Sequence, residues 1–110
     1  MEANKYQEYI KKFDHYPMKT ALLTYGLGLG GETGEVLEKI KKLYRDKGGH
    51  ITPEFKQAMK KEIGDVLWYI CMIANKLNIT LEEVFLANIN KLDAREEKDM
   101  INGDGDNREE

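Results

Sequence analysis

Four acids in this 110-residue sequence have types and spacings that fit metal chemistry: Glu32 and Glu35, then Glu62 and Asp65. Each pair is three residues apart, and on a helix such residues share a face. Two pairs on neighbouring antiparallel helices converge on one point. Carboxylates packed that closely repel unless a cation sits among them. An all-oxygen donor set suits Mg²⁺, with Mn²⁺ as the alternative, rather than zinc.

Spacing alone is weak in a chain with 20 acidic residues. Helical phase strengthens it. At about 100° per residue, Glu62 projects about 40° from Val66 and about 60° from Met59, with Asp65 and Tyr69 bordering that face. Glu32 projects within about 40° of Val36 and Leu43. Acids that face inward are costly without compensation, so both pairs imply either a bound cation or basic partners. A ferritin-like di-iron site needs Glu-x-x-His pairs, and neither His15 nor His50 stands three residues after a glutamate.

The elements that must position these acids read as four helices. The first covers about Asn4–Phe13 and ends at Asp14-His15-Tyr16-Pro17, because the residue before a proline avoids helical geometry. The second covers about Lys19–Arg45 and stops at Asp46-Lys47-Gly48-Gly49-His50. Thr52-Pro53-Glu54 starts the third with a capping hydroxyl, a first-turn proline and an acid at the positive helix end. It extends to about Leu77. Thr80 and Glu83 form a capping box for a fourth helix running to about Lys98. The chain reads as one domain, 1–110, with residues 99–110 as a C-terminal tail.

On the third helix, Phe55, Met59, Ile63, Val66, Ile70, Ile73 and Leu77 form an apolar stripe, read as its core face. Trp68, Cys71 and Met72 widen it, which calls for partners on more than one side and favours a homo-oligomer. Trp68 reads as core or subunit-interface packing.

Glycines 26, 28, 30, 31 and 34 cost a helix roughly 5 kcal/mol together. Gly26 to Gly31 satisfies the dinucleotide pattern G-x-G-x-x-G, but no second strand follows to complete the βαβ context it needs. No Gly-Lys-Ser/Thr marks a phosphate loop. The glycines instead read as a place where a helix or flat ligand approaches the backbone closely.

The net charge of −3 gives no sign of nucleic-acid binding. Cys71 is the single cysteine, and its apolar surroundings read as core. No run approaches the roughly 18 apolar residues of a membrane span, and the N-terminus lacks a signal-peptide core. The expected setting is soluble and cytoplasmic.

Three segments carry a family resemblance. Gly28–Val36 is similar to the G-L-x-G-E-x-G-E-V segment of MazG-like nucleotide pyrophosphohydrolases. Lys61–Tyr69 resembles their K-E-[IL]-G-D-V-L-W-Y segment. Ala87-Asn88-Ile89-Asn90-Lys91-Leu92, with Arg95, resembles A-N-x-x-K-L-x-x-R. Gly105–Arg108 resembles a tail of small phage and bacterial members. The resemblance spans about Tyr6 to Arg108 in order, with 26 residues between Glu35 and Glu62.

It implies an all-α fold with a four-helix core, assembled as a homodimer or homotetramer. It implies Mg²⁺-dependent hydrolysis of a nucleoside triphosphate to a monophosphate and pyrophosphate, in nucleotide-pool sanitation or related metabolism. Carried over by position, Glu32, Glu35, Glu62 and Asp65 are the metal ligands and catalytic acids. Tyr69, Asn88, Lys91 and Arg95 contact substrate. Glu38 is not assigned as a ligand, and Arg108 in the tail is a further phosphate contact to consider. The competing expectation is a non-catalytic helical oligomer that binds nucleotide or a protein partner.

Overall fold

Local capping marks the starts of the last two helices and the end of the long second one in the computed structural model, which describes residues 1–102. Helix α1 spans Ala3–Tyr9 and passes into a 3₁₀ turn over Ile10–Phe13. Helix α2 spans Met18–Lys47 and starts immediately after Pro17. It stops at Gly48, whose φ of 59° is left-handed backbone that glycine adopts freely. Helix α3 spans Pro53–Lys76, and the Thr52 hydroxyl accepts the Phe55 N–H at 3.1 Å. Helix α4 spans Leu81–Asn102. At its start the Glu83 N–H donates to Thr80 Oγ1 at 3.1 Å and Glu83 Oε1 accepts from the Thr80 N–H at 3.3 Å. Helix α4 continues four residues past Lys98 because no breaker intervenes before Gly103. Residues 103–110, with most of the expected tail and Arg108, lie outside the described residues.

The architecture is all-α, as the sequence implies. Helices α2 and α3 form a long antiparallel hairpin, and α1 with its 3₁₀ turn lies across its open end. The buried cluster sits there: Ile10, Ala21, Tyr25, Cys71, Met72 and Leu81. Helix α4 packs on α1 and has no extended contact with α2 or α3 among the described residues. From Glu82 to Ala94 every α4 residue is exposed. The radius of gyration is 17.7 Å, against about 13 Å for a compact chain of this length.

One expectation needs correcting. Beyond Phe55, the α3 stripe that reads as core is turned to one side of α2, with Ile73 packed against the buried cluster. Ile63 is 55% exposed and Leu77 52%, and Ile70 also lies in the exposed range. The face against α2 is an adjacent heptad-spaced row: Phe55, Ala58, Glu62, Asp65, Tyr69, Met72 and Lys76. Both rows are built of steps of four and three, so periodicity cannot rank them. Burial of the acid-bearing row leaves the more apolar row open.

Gln7, buried on α1, ties the hairpin to α4. Its Nε2 donates to the Ile79 carbonyl at 2.7 Å, and its Oε1 accepts the Leu81 N–H at 2.8 Å. Asn75 Nδ2 donates to the Gln7 carbonyl at 3.1 Å. Gln7→Leu orphans two buried backbone groups and is expected to cost about 2 kcal/mol. Urea unfolding checks this, and an unchanged midpoint contradicts it.

Candidate metal and nucleotide site

The row of α2 that runs along the contact is Ala21, Tyr25, Gly28, Glu32, Glu35, Lys39 and Leu43, again in steps of four and three, with Glu35 exposed at its edge. It runs antiparallel to the acid-bearing row of α3, so the two form layers along one seam. In the middle layer Glu32, Glu62 and Asp65 bring carboxylate oxygens within 4.8 Å of one another. Glu32 and Glu62 are partly buried, while Asp65 is exposed. The inward projection expected of Glu32 and Glu62 is therefore what the helices produce.

The electrostatics follow from that packing. The Glu32 carboxyl is pushed above the ordinary range, by burial first and then by the charges of Asp65, Glu62 and Glu35. Glu35 is exposed and stands outside the three-carboxylate group, although its charge reaches Glu32. Glu38 is turned away and pairs with Lys41 at 3.3 Å and Lys42 at 3.9 Å. Lys39 stands against the cluster, with its Nζ 3.9 Å from Glu62 Oε1. One ammonium does not neutralise three carboxylates. The donors are hard oxygens open on one side, and they suit Mg²⁺ or Mn²⁺.

The layers on either side differ in chemistry. Toward the start of α2 the seam is aromatic. Tyr69 follows Asp65 by one helical turn and lies against Gly28, one turn before Glu32. A β-carbon at Gly28 would fall inside the Tyr69 ring, so glycine is required here by close approach. The other four glycines of the cluster have open space where a β-carbon would sit. Tyr25 is fully buried, with its ring centroid 5.7 Å from that of Trp68 and 6.3 Å from that of Tyr69. Trp68 thus packs within the chain. The Tyr69 phenol is pushed upward, by burial first and then by Tyr16, Glu32 and Asp65.

Toward the end of α2 the seam opens into a cleft of about 540 Å³ lined by Lys39, Lys42, Leu43, His50, Phe55 and Ala58 among others. Lys39 borders both the cleft and the acids. It falls one heptad after Glu32 on the same face, a spacing that marks it in the sequence once Glu32 is known to face inward.

The predicted contacts on α4 are not gathered here. Asn88 and Lys91 are exposed and Arg95 is partly buried, on a helix without extended contact with the seam. Sequence reasoning also missed Asp14. Its carboxylate accepts a hydrogen bond from the Tyr25 hydroxyl and pairs with Lys76. Nothing local marks this residue, because its partners lie up to 62 positions away in the sequence.

The MazG nucleotide pyrophosphohydrolase domain profile matches residues 20–100 of the chain. The chain belongs to the MazG nucleotide pyrophosphohydrolase family. The matched span contains all four acidic motif residues and the α4 segment. The chain is 46% identical over 82 residues to the Gene 37 protein of Mycobacterium phage L5, covering 74% of this chain and 72% of that protein. It is 35% identical over 65 residues to the uncharacterized protein YpjD of Bacillus subtilis (strain 168), covering 59% of this chain and 58% of that protein. No solved structure matches. No helix among the described residues is long and apolar enough to cross a membrane.

Burial alone would raise the Asp14 carboxyl, but donation from Lys76 and Tyr25 outweighs it and holds Asp14 below the ordinary range. A depressed folded value adds stability that is complete above about pH 4 and is lost as pH falls through it. Urea midpoints measured downward from pH 5 are expected to fall less steeply for Asp14→Asn, from a lower start. Parallel curves contradict the assignment. Gly28→Ala is expected to displace Tyr69 and cost about 1–3 kcal/mol, read by thermal melting and Trp68 fluorescence.

Proposed function

We propose that this protein hydrolyses nucleoside triphosphates between the α and β phosphates, in a Mg²⁺-dependent reaction that yields a nucleoside monophosphate and pyrophosphate. The observation that carries the reading is the meeting of Glu32, Glu62 and Asp65 from two helices within 4.8 Å, in a chain of this family. Mg²⁺ would be held by these carboxylates together with substrate oxygens; Mn²⁺ fits the same donors. A bound Mg²⁺ supplies charge neutralisation on the phosphates and acidifies water.

The chain's own groups take the remaining roles. Glu32, Glu62 and Asp65 hold the cation. Glu35, exposed one turn along α2, acts as a further ligand or receives the proton of the attacking water. Lys39, beside Glu62 at the edge of the cleft, offsets charge on the departing pyrophosphate. Tyr69 borders the nucleoside side. Asn88, Lys91 and Arg95 bind phosphate or sugar.

In one copy α4 stands away from the acids, so those last three residues reach substrate from a second copy. Support comes from two open apolar rows. One is Ile63, Ile70 and Leu77 with partly buried Met59, Val66 and Ile73 on α3. The other is Phe85, Ile89 and Leu92 on α4, with Phe85 and Ile89 each 51% exposed. Asn88, Lys91 and Arg95 flank the α4 row. The working unit is thus a homodimer or homotetramer of a single 1–110 domain, suited to the cytoplasm and to clearing unwanted nucleotides from the pool.

Incubating the protein with a panel of ordinary and modified triphosphates plus Mg²⁺ tests the reaction. Pyrophosphate release is expected from at least one, and none from any contradicts it. Glu62→Ala and Asp65→Ala should each abolish turnover with helicity intact. Light scattering tests assembly: a dimer or tetramer is expected, with Ile70→Glu shifting it toward monomer and reducing turnover. A monomeric, fully active parent contradicts the shared site.

A further inference from the structure

We propose that Gly28 and the Tyr69 ring form a size-matched spacer that sets the separation of α2 and α3 at the acid layer, and thereby raises the site's discrimination for Mg²⁺ against the larger Ca²⁺. Gly28 is a positioning residue, acting through Tyr69 on Glu32. The inference rests on the Mg²⁺-dependent reading of the carboxylate site and deepens it.

The contact belongs to one glycine. Five glycines stand within nine residues of α2, and four of them, Gly26, Gly30, Gly31 and Gly34, leave open space where a β-carbon would sit. At Gly28 a β-carbon would meet three atoms of the Tyr69 ring, the farthest of them, Cδ1, at 2.8 Å. Carbon atoms in comfortable contact stand about 3.5 Å apart or more. The backbone of α2 thus rests directly on the ring, and the ring has little freedom to yield. Its centroid lies 5.0 Å from that of Trp68, edge-on at 84°, and 6.3 Å from that of Tyr25, which is fully buried. An aromatic residue on a helix also has only two favoured χ1 rotamers, so it does not shift by degrees without cost.

The spacer lies one turn from the acids on both helices. Gly28 precedes Glu32 by four residues and Tyr69 follows Asp65 by four, about 6 Å along each axis. At the far end the short connection after Gly48 ties α2 to α3, so the hairpin opens only about that end. A β-carbon at Gly28 requires about 1 Å of extra separation there. With the pivot at buried Leu43, fifteen residues from Gly28 and eleven from Glu32, about 0.7 Å of that reaches the acid layer. Mg²⁺ takes oxygens at about 2.0–2.1 Å in a near-ideal octahedron, and Ca²⁺ takes them at about 2.3–2.6 Å with flexible geometry. The displacement exceeds the difference in bond length. It therefore costs Mg²⁺ its fit and leaves Ca²⁺ room.

The test compares the full-length parent with Gly28→Ala, Tyr69→Leu, Gly28→Ala/Tyr69→Leu and Gly26→Ala. Mn²⁺ binding is followed by electron paramagnetic resonance, with Mg²⁺ and Ca²⁺ as competitors and no nucleotide present. Metal binding is the readout because Tyr69 also borders the nucleoside side, so turnover would mix two effects. Gly28→Ala is expected to weaken Mg²⁺ binding about tenfold and Ca²⁺ binding markedly less, so the Mg²⁺:Ca²⁺ affinity ratio falls. Tyr69→Leu removes the spacer and should also lower the ratio. The double variant nearly conserves volume, because the added methyl replaces what the smaller side chain removes, and should regain most of the ratio. Gly26→Ala adds the same methyl in open space and should match the parent. Should Gly28→Ala not fold, Tyr69→Leu and the double variant decide, by the fall in the first and the recovery in the second. A parental ratio in Gly28→Ala overturns this inference alone. So does an equal loss for all three ions, which general destabilisation would give, or a double variant no better than Tyr69→Leu. A parent that binds no Mn²⁺ saturably overturns the metal reading and this inference with it.

Discussion

Three carboxylates share the packing seam of a helical hairpin, where apolar contacts would ordinarily stand, and the rest of the structure is arranged around that repulsion. Mutual charge and partial burial already raise the Glu32 carboxyl. The layers above and below must therefore hold α2 and α3 together against it. On one side Tyr69 beds into the gap left by Gly28, backed by Tyr25, Trp68 and Met72. On the other Leu43 and Phe55 border the cleft, with Lys39 supplying a partial counter-charge. The hairpin is stable because its acids occupy one layer in the middle of a long contact, with apolar packing at both ends.

Much of this was legible in the sequence, for local reasons. Thr52-Pro53, the Thr80–Glu83 box and Gly48 each act within one turn, and each appears where its chemistry requires. The two acid pairs were legible because helical phase carries over from sequence to space without knowledge of the partner. The α3 face was not. Two heptad-spaced rows lie one residue, about 100°, apart around the helix, and apolarity favours the one that α2 leaves open. Only the position of α2 decides between them. Glu35 shows the same limit: its spacing equals that of Asp65 from Glu62, yet it is exposed and outside the cluster.

The least legible features are those made by distant residues. Asp14 reads as a helix-stop acid, while in the fold it receives donors from α2 and α3. Gln7 reads as one polar residue on a short helix, while it seals the junction of α3 and α4. In both cases one side chain satisfies several buried groups, and its value depends on partners that only tertiary structure supplies.

Open apolar rows on α3 and α4 extend the same logic outward. Much of the chain's most apolar row stays exposed, with Ile73 packed against the buried cluster, which fits a protein completed by another copy. The account nevertheless stands first on the carboxylate layer. The most direct measurement is the Mn²⁺ binding isotherm of the parent beside Glu62→Gln, which preserves shape and removes one charge. The account predicts saturable Mn²⁺ binding by the parent that is displaced by Mg²⁺ and weakened at least tenfold in the variant. Equal binding by the two proteins, or none by the parent, would contradict it.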